Sequence, residues 1–458
     1  MVRRVQAFFL IVVLALIFLK LTTSYFFNTD YTRDLYRVLN ITQGHPTLIG
    51  PPLSVGIFST PYYYYFILPS LLLSGYSPYA FLIFNAIIFL AGIIIISILL
   101  SKRGKVLPIL GMILSPFFLM AARGASNAYL YIPLLMIYLY YILFTEIYKE
   151  TQYLLLGVLA GLILNFHPVS LIAVLPISIV LFHRTKIKKH FWVYLLPILA
   201  SLIPMILFEL KHEFVVTRGL LSGNYKNFIA NTVSRDFISS LMFIIRKFQE
   251  LLGINPLIYF SGLFLIVKKV DDKKYWWLYL CALFSFLVTI LVLRFQYEPH
   301  YLFPACVLIA FTAVMALSRV KSSLLTILWI GILLFSFPTN LYKPSTRAIE
   351  KYSVAVQNVL KNNILSKSEI FNVLGIIDSS NKVVNGNEYR FFLAKAGYQP
   401  LSESEYSAAD TLLVFSEDKN YPISQLHTWE TEQFGQQYLR KAQVYDSGDI
   451  LIYRISKQ

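Results

Sequence analysis

An all-α polytopic membrane protein that ends in a small water-soluble α/β domain is the fold class the sequence predicts, on three observations. The 458-residue chain is 57% hydrophobic and 14% charged, with a mean hydropathy of +0.62, more apolar and less charged than ordinary soluble domains. Its apolar residues gather into runs long enough to cross a bilayer, separated by short basic clusters. After Pro338 the pattern stops: residues 341–458 hold 13 Lys+Arg and 13 Asp+Glu, leaving 27 and 11 for residues 1–340. The net charge of +16 therefore belongs to the apolar part, where it lies between the runs as topology-setting charge does. That placement argues against a nucleic-acid partner.

The elements follow in order. Arg3 and Arg4 precede a long apolar stretch with no small-residue cleavage site before Phe26 and Phe27, so residues 5–23 are an uncleaved first span rather than a secretory signal. Further spans are predicted at 79–101, 106–121, 128–148, 152–167, 168–183, 192–210, 252–267, 275–294, 301–318 and 323–340, about eleven in all. With a cytoplasmic N-terminus, the connections SKRGK, EIYKETQ, HRTKIKKH, KKVDDKK and SRVKSS fall inside and, with Arg3 and Arg4, carry 16 of the 27 basic residues of this part. The opposite side receives the long loops 24–78 and 211–251, the RGASN, NFHP and QYEPH connections, and the C-terminal domain, which is then extracytoplasmic. Residues 62–75 (YYYYFILPSLLLSG) would invert every later loop if they spanned, so they are expected to form an amphipathic or re-entrant helix in the outer interface.

In the C-terminal domain, 341–458, the runs Thr411 to Phe415 and Ile450 to Tyr453 are strand-like, and Ser353 to Val359 and Glu388 to Ala396 have helical patterning. Cys281 and Cys306 lie inside apolar runs, with no metal or disulfide spacing. Most of the 32 tyrosines and 36 phenylalanines belong to packing and interface belts, Tyr62 to Tyr65 being the group to test for sugar stacking.

The first outer loop carries the most distinctive chemistry. It sets Asp30 and Asp34 four residues apart just beyond the first span, on one face if the segment is helical, with Arg33 and Arg37 beside them. Such a group is either a solvated, charged helix start or an active-site base. The run D-x-x-R-D, then L-I-G-P-P, then P-Y-Y-Y-Y resembles the first luminal loop of GT-C glycosyltransferases. The likeness is greatest to the family 39 group of protein O-mannosyltransferases and lipid A aminoarabinose transferases. It extends more weakly through RGASN (123–127), FELKHEF (208–214) and EPHYLFP (298–304).

The resemblance implies a GT-C-like membrane domain over residues 1–340, outward-facing inverting catalysis, a loop-1 carboxylate as base, and a polyprenyl-phosphate sugar as donor, embedded among membrane lipids. The acceptor, a lipid, glycan or protein, is not identified by it. In the family the acidic pair is Asp-Glu; here Tyr31 follows Asp30, so the second carboxylate is Asp34 or comes from elsewhere. The chemistry fits the residues on its own terms, because sugar transfer from a lipid phosphate needs a base for the acceptor and cations for the leaving phosphate.

Asp30 and Asp34 are accordingly the catalytic candidates, and Arg33 beside them is a candidate to bind the donor phosphate or substrate. Arg123, Lys211, His212, Arg294 and His300 sit at predicted outer span ends, where cations either meet a donor phosphate or simply snorkel to the interface. His167 in NFHP is a packed histidine or a substrate contact. Glu209, at the end of an apolar run, needs a partner or an aqueous cavity, and Glu298, His300 and Tyr301 are expected to converge with it. No cofactor is firmly predicted: the carboxylates are compatible with a divalent metal, but no ligand spacing demands one. The alternatives are a polytopic transporter or lipid-linked sugar flippase, which would show repeated halves and ionisable residues deep in spans, and a non-catalytic scaffold.

Overall fold

The structure, a computed structural model, describes residues 2–53, 58–101, 107–147, 149–185, 190–221, 237–270, 272–293, 299–320, 323–377 and 382–457. It opens with α1 (Val2–Phe18), α2 (Thr29–Thr42) and α3 (Tyr62–Leu73). Next come α4 (Ala80–Ser101), α5 (Leu107–Leu114), α6 (Pro116–Arg123), α7 (Asn127–Phe144), α8 (Glu150–Phe166) and α9 (Leu171–Thr185). These are followed by α10 (Phe191–Ala200), α11 (Ile203–Lys211), α12 (Val215–Leu221), α13 (Phe237–Leu252), α14 (Pro256–Lys268), α15 (Lys273–Leu293), α16 (Phe303–Arg319) and α17 (Ser323–Phe335). The remainder holds α18 (Ile349–Lys361), β1 (Phe371–Ile377), β2 (Lys382–Val384), α19 (Asn387–Lys395), β3 (Thr411–Ser416), α20 (Trp429–Phe434), β4 (Gln443–Asp446) and β5 (Leu451–Ser456).

The chain forms two compact units. The first comprises Met1–Leu21, Thr47–Ile67 and Leu82–Tyr342; the second comprises Thr22–Pro46, Leu68–Phe81 and Lys343–Gln458. The second unit thus contains more than the C-terminal segment, because it takes in the first-loop helix α2.

The first unit is an apolar helical bundle, and the chain is an integral multi-pass membrane protein. Among the described residues, five helices are long and apolar enough to cross a membrane alone, or eight crossings if each of three bent pairs is one. The count of about eleven is therefore not established. The run at 192–210 is two helices, α10 and α11, bent by 43°. The run at 252–267 follows a 65° bend out of α13. That bend has a local cause: Gly253 takes φ +76°, and Asn255 caps the new helix by accepting the Leu257 N–H at 3.0 Å, with Pro256 in the first turn. The runs at 152–167 and 323–340 are the short apolar helices α8 and α17.

Helix α16 is buried at every position from Phe303 to Ser318, as expected of a helix apolar all round. It packs against α5, α7, α9, α14 and α15. Elsewhere small residues let backbones close up. A Cβ on Gly157 of α8 would lie 2.2 Å from the Tyr194 carbonyl oxygen of α10, an approach only glycine permits. Hydroxyls inside the bundle satisfy each other: Tyr138 and Tyr194 are 2.6 Å apart, and both reach Ser178.

The second unit contains a five-stranded sheet in the order β2-β1-β3-β5-β4, with β1 and β3 parallel and the other pairs antiparallel. The expected strands at 411–415 and 450–453 are β3 and β5. The expected helices are α18 and α19. Buried Leu374, Ile376, Leu412, Val414, Tyr453 and Ile455 of β1, β3 and β5 share one core.

Candidate active site

Helix α2 forms because Asn28, extended at φ −89°, accepts the Tyr31 N–H at 2.8 Å and caps it. Asp30 then falls in the first turn, where the helix dipole favours a carboxylate. Helix α2 packs on α19 of the same unit and buries Tyr31, Leu35, Val38 and Leu39, and the Tyr31 hydroxyl donates to the Pro78 carbonyl at 2.6 Å.

This places the three charged candidates of the first loop together. Arg33 donates from Nη1 to Asp30 Oδ1 at 2.8 Å, and from Nε and Nη2 to Asp34 Oδ1 at 2.9 and 2.8 Å. The two acids are otherwise unlike: the Asp34 side chain is 0% exposed and the Asp30 side chain 69% exposed. Asp34 anchors Arg33 from below, and Arg33 in turn holds a carboxylate that faces outward.

In the first unit, His167 closes α8 and is buried, in ring contact with His300 at 4.8 Å and Tyr301 at 6.5 Å, and stacked on Tyr131 at 6.0 Å. His167 Nδ1 and the Tyr131 hydroxyl are buried and have no hydrogen-bond partner among the described residues. Buried polar atoms in that condition need an unseen partner, water or ligand. His167, His300 and Tyr301 were foreseen as candidates; Tyr131 was not, because inside the run NAYLYIPLL nothing distinguishes it from a packing tyrosine.

Other candidates are placed differently. Arg123 is buried, with Nη1 on the carbonyls of Leu16, Ile17 and Leu19 (3.2, 2.9 and 2.9 Å), Nη2 on that of Leu341 (3.0 Å), and its guanidinium 4.1 Å from the Tyr342 ring. Glu209 has the partner its position requires: it accepts from the N–H groups of Val216 (3.1 Å) and Thr217 (2.9 Å) and from the Thr217 hydroxyl (2.6 Å), at the first turn of α12. Lys211 and His212, at the end of α11, are exposed, with His212 lying 4.4 Å from the Phe208 ring. Glu298 and Arg294 lie outside the described residues. Among the described residues no three His, Cys, Asp or Glu side chains group as metal ligands.

The L-I-G-P-P stretch is fixed by backbone. Gly50 donates its N–H to the Ser59 carbonyl at 2.7 Å, and Ser59 returns one to Pro51 at 3.0 Å. A Cβ on Gly50 would sit 2.1 Å from the Thr60 carbonyl oxygen, so this tight loop excludes any other residue. Tyr65 joins the same loop, donating its hydroxyl to the Thr47 carbonyl at 2.9 Å, while Tyr63 and Tyr64 are buried.

An open cavity of about 1120 Å³ in the first unit is lined by Met120, Phe243, Arg246, Gln249, Asn255 and Asn340, among others. None of the sequence candidates lines it.

No family model and no curated protein sequence matches the chain. Solved structures do. The crystal structure of ArnT from Cupriavidus metallidurans bound to undecaprenyl phosphate is similar with a TM-score of 0.64 at 10% identity, covering 98% of this chain and 97% of that one. The apo structure of the same protein gives 0.59 at 9% identity, covering 99% and 98%. At such identities the likeness is one of fold, and it agrees with the resemblance carried by the first loop. Over nearly its whole length, the chain has the fold of ArnT, a lipid A aminoarabinose transferase of the GT-C type.

Proposed function

We propose that the chain is a GT-C glycosyltransferase that moves a sugar from a polyprenyl-phosphate donor to a hydroxyl or amine acceptor on the extracytoplasmic face of the membrane. The observation that carries this reading is the full-length likeness to a transferase crystallised with undecaprenyl phosphate. The Asp30–Arg33–Asp34 group supplies chemistry to match it. Asp30 is the exposed member and acts as base: it takes the acceptor's proton while the acceptor heteroatom bonds to the anomeric carbon. The carbon–oxygen bond to the phosphate breaks on the opposite side, its electron pair leaving on the polyprenyl phosphate, so the configuration inverts. Arg33, clamped by buried Asp34, keeps Asp30 in place. Within the first unit, Lys211 and His212 are exposed at one helix end, where cations can bind an anionic lipid headgroup. Arg123, with its donors on helix carbonyls, is read as a structural residue, and the His167, His300, Tyr301 and Tyr131 group as a ligand contact of the first unit.

The test is transfer from radiolabelled polyprenyl-phosphate sugars in membranes carrying wild type or Asp30→Asn at matched expression. A loss of about 10²–10⁴-fold in the variant is expected. Equal activity removes Asp30 from the mechanism, and no transfer from any donor by the wild type favours a flippase or transporter. A cysteine placed at position 104 should react only from the cytoplasmic side; labelling from outside overturns the topology.

A further inference from the structure

The geometry points to Arg347 as a positioning residue for the loop-1 carboxylate, acting through the segment that leads into α2. The inference rests on the reading of Asp30 as base, and its evidence lies wholly within the second unit.

Residues 343–347 run beside residues 23–27. Ser345 donates its N–H to the Thr23 carbonyl and Phe27 donates to the Arg347 carbonyl, each at 3.0 Å. Phe27 is the residue before Asn28, the cap on which the first turn of α2 and therefore Asp30 depend. Its ring is fully buried among Tyr31, Tyr352 and Phe392, with centroids 5.6, 5.3 and 6.4 Å away. The Phe26 ring lies 5.5 Å from the Arg347 guanidinium. One arginine thus holds both residues that precede the cap, one by its backbone and one by its side chain.

Arg347 is itself fixed by groups from three elements. Its Nη2 reaches Glu388 of α19 at 2.8 Å and Glu417 after β3 at 3.1 Å, and its Nε donates to the Tyr352 hydroxyl of α18. That hydroxyl donates to Glu417 at 2.9 Å, and Lys351 approaches the same carboxylate at 3.6 Å. Glu388 is 1% exposed, and neither acid belongs to the Asp30–Arg33–Asp34 group. A buried guanidinium between two buried carboxylates has little freedom to move, because each displacement leaves an uncompensated charge. That rigidity passes to Phe27, and from it to the cap.

The experiment uses full-length protein in lipid nanodiscs, with Arg347→Lys, which keeps the backbone carbonyl and the charge but cannot serve both acids and Tyr352 together. Amide hydrogen exchange is read in peptides covering 27–39 and in the central strands β1 and β3, alongside the kcat and donor KM of transfer. Exchange about tenfold faster in 27–39, unchanged protection in the strands, and kcat down about tenfold with donor KM within about twofold are expected. Unchanged exchange in 27–39 overturns the inference, as does equal loss of protection in the strands, which would make Arg347 an element of the fold rather than of position. Asp30→Asn in parallel separates the two readings. If it transfers normally while Arg347→Lys loosens 27–39, the base assignment fails and the tether stands. If it is inactive while Arg347→Lys leaves 27–39 and kcat unchanged, the tether fails alone.

Discussion

Arg123 in the helical unit and Arg347 in the second unit are both buried, yet different chemistry satisfies them. Arg123 spends its donors on carbonyls at the end of α1. Arg184 does the same to α7, donating to the carbonyls of Ile142 and Leu143. A helix C-terminus carries unpaired carbonyls and partial negative charge, so it can accept a cation where acids are sparse, and residues 1–340 have only 11 of them. The second unit has acids in balance with its cations, and there Arg347 meets Glu388 and Glu417 while Arg33 meets Asp30 and Asp34. Arg390 shows that backbone carbonyls serve a guanidinium in this unit too, though those of Asn385, Leu401 and Val373 belong to loops and to β1 rather than to a helix end. The difference lies in what each leaves behind. A guanidinium on helix carbonyls leaves neutral acceptors when it is lost, and one held between carboxylates leaves buried charge.

The sharpest way to break this comparison is to remove each cation in turn. Arg347→Met leaves Glu388 buried without its partner and Glu417 with Lys351 and the Tyr352 hydroxyl, and should cost the second unit about 3–5 kcal/mol. The readout is the loss of hydrogen-exchange protection in β1 and β3. Arg123→Met strands neutral carbonyls rather than buried acids, and should cost the helical unit about 1–3 kcal/mol, with donor KM within about twofold. Equal costs would erase the distinction. A large rise in donor KM at unchanged stability would return Arg123 to the phosphate site.

How much of this the sequence disclosed depends on whether the signal was local. The membrane class, β3, β5, α18 and α19 rest on composition and periodicity within short windows, and all four elements are present. The span count is not settled by such windows, since the bends at Ser201 and Gly253 divide apolar runs without interrupting their hydropathy. Asp30, Arg33 and Asp34 meet because they are neighbours on one helix, so their grouping was legible. The opposite exposures of Asp30 and Asp34 were not, because tertiary packing decides them, and α2 packs on a helix, α19, more than 340 residues away in the chain. The grouping of Arg347, Glu388 and Glu417 escaped for the same reason: in sequence they are three well-separated charges in a balanced, polar segment.

The smallest effect concerns Glu369, a partly exposed acid that joins the sheet of the second unit. It accepts from the Ser366 N–H and the Thr411 hydroxyl at 2.9 Å each, and from Arg454 at 3.1 Å. Partial burial works against its charge, but these donors outweigh it and hold the carboxyl below its ordinary value. A folded-state value below the unfolded one means that the stabilisation is fully present above the unfolded value of about 4.3 and is lost as pH falls through the folded value. Glu369→Gln should therefore cost about 0.5 kcal/mol at pH 7, a figure kept small because solvent screens the site. The cost should shrink toward zero once the wild-type carboxyl is itself protonated. Exchange protection of β3 and β5, compared between wild type and variant from pH 7 downward, measures it. A difference that stays constant with pH would assign the contribution to hydrogen-bond geometry, and the charge of Glu369 would then add nothing to the second unit, unlike the buried acids around Arg347.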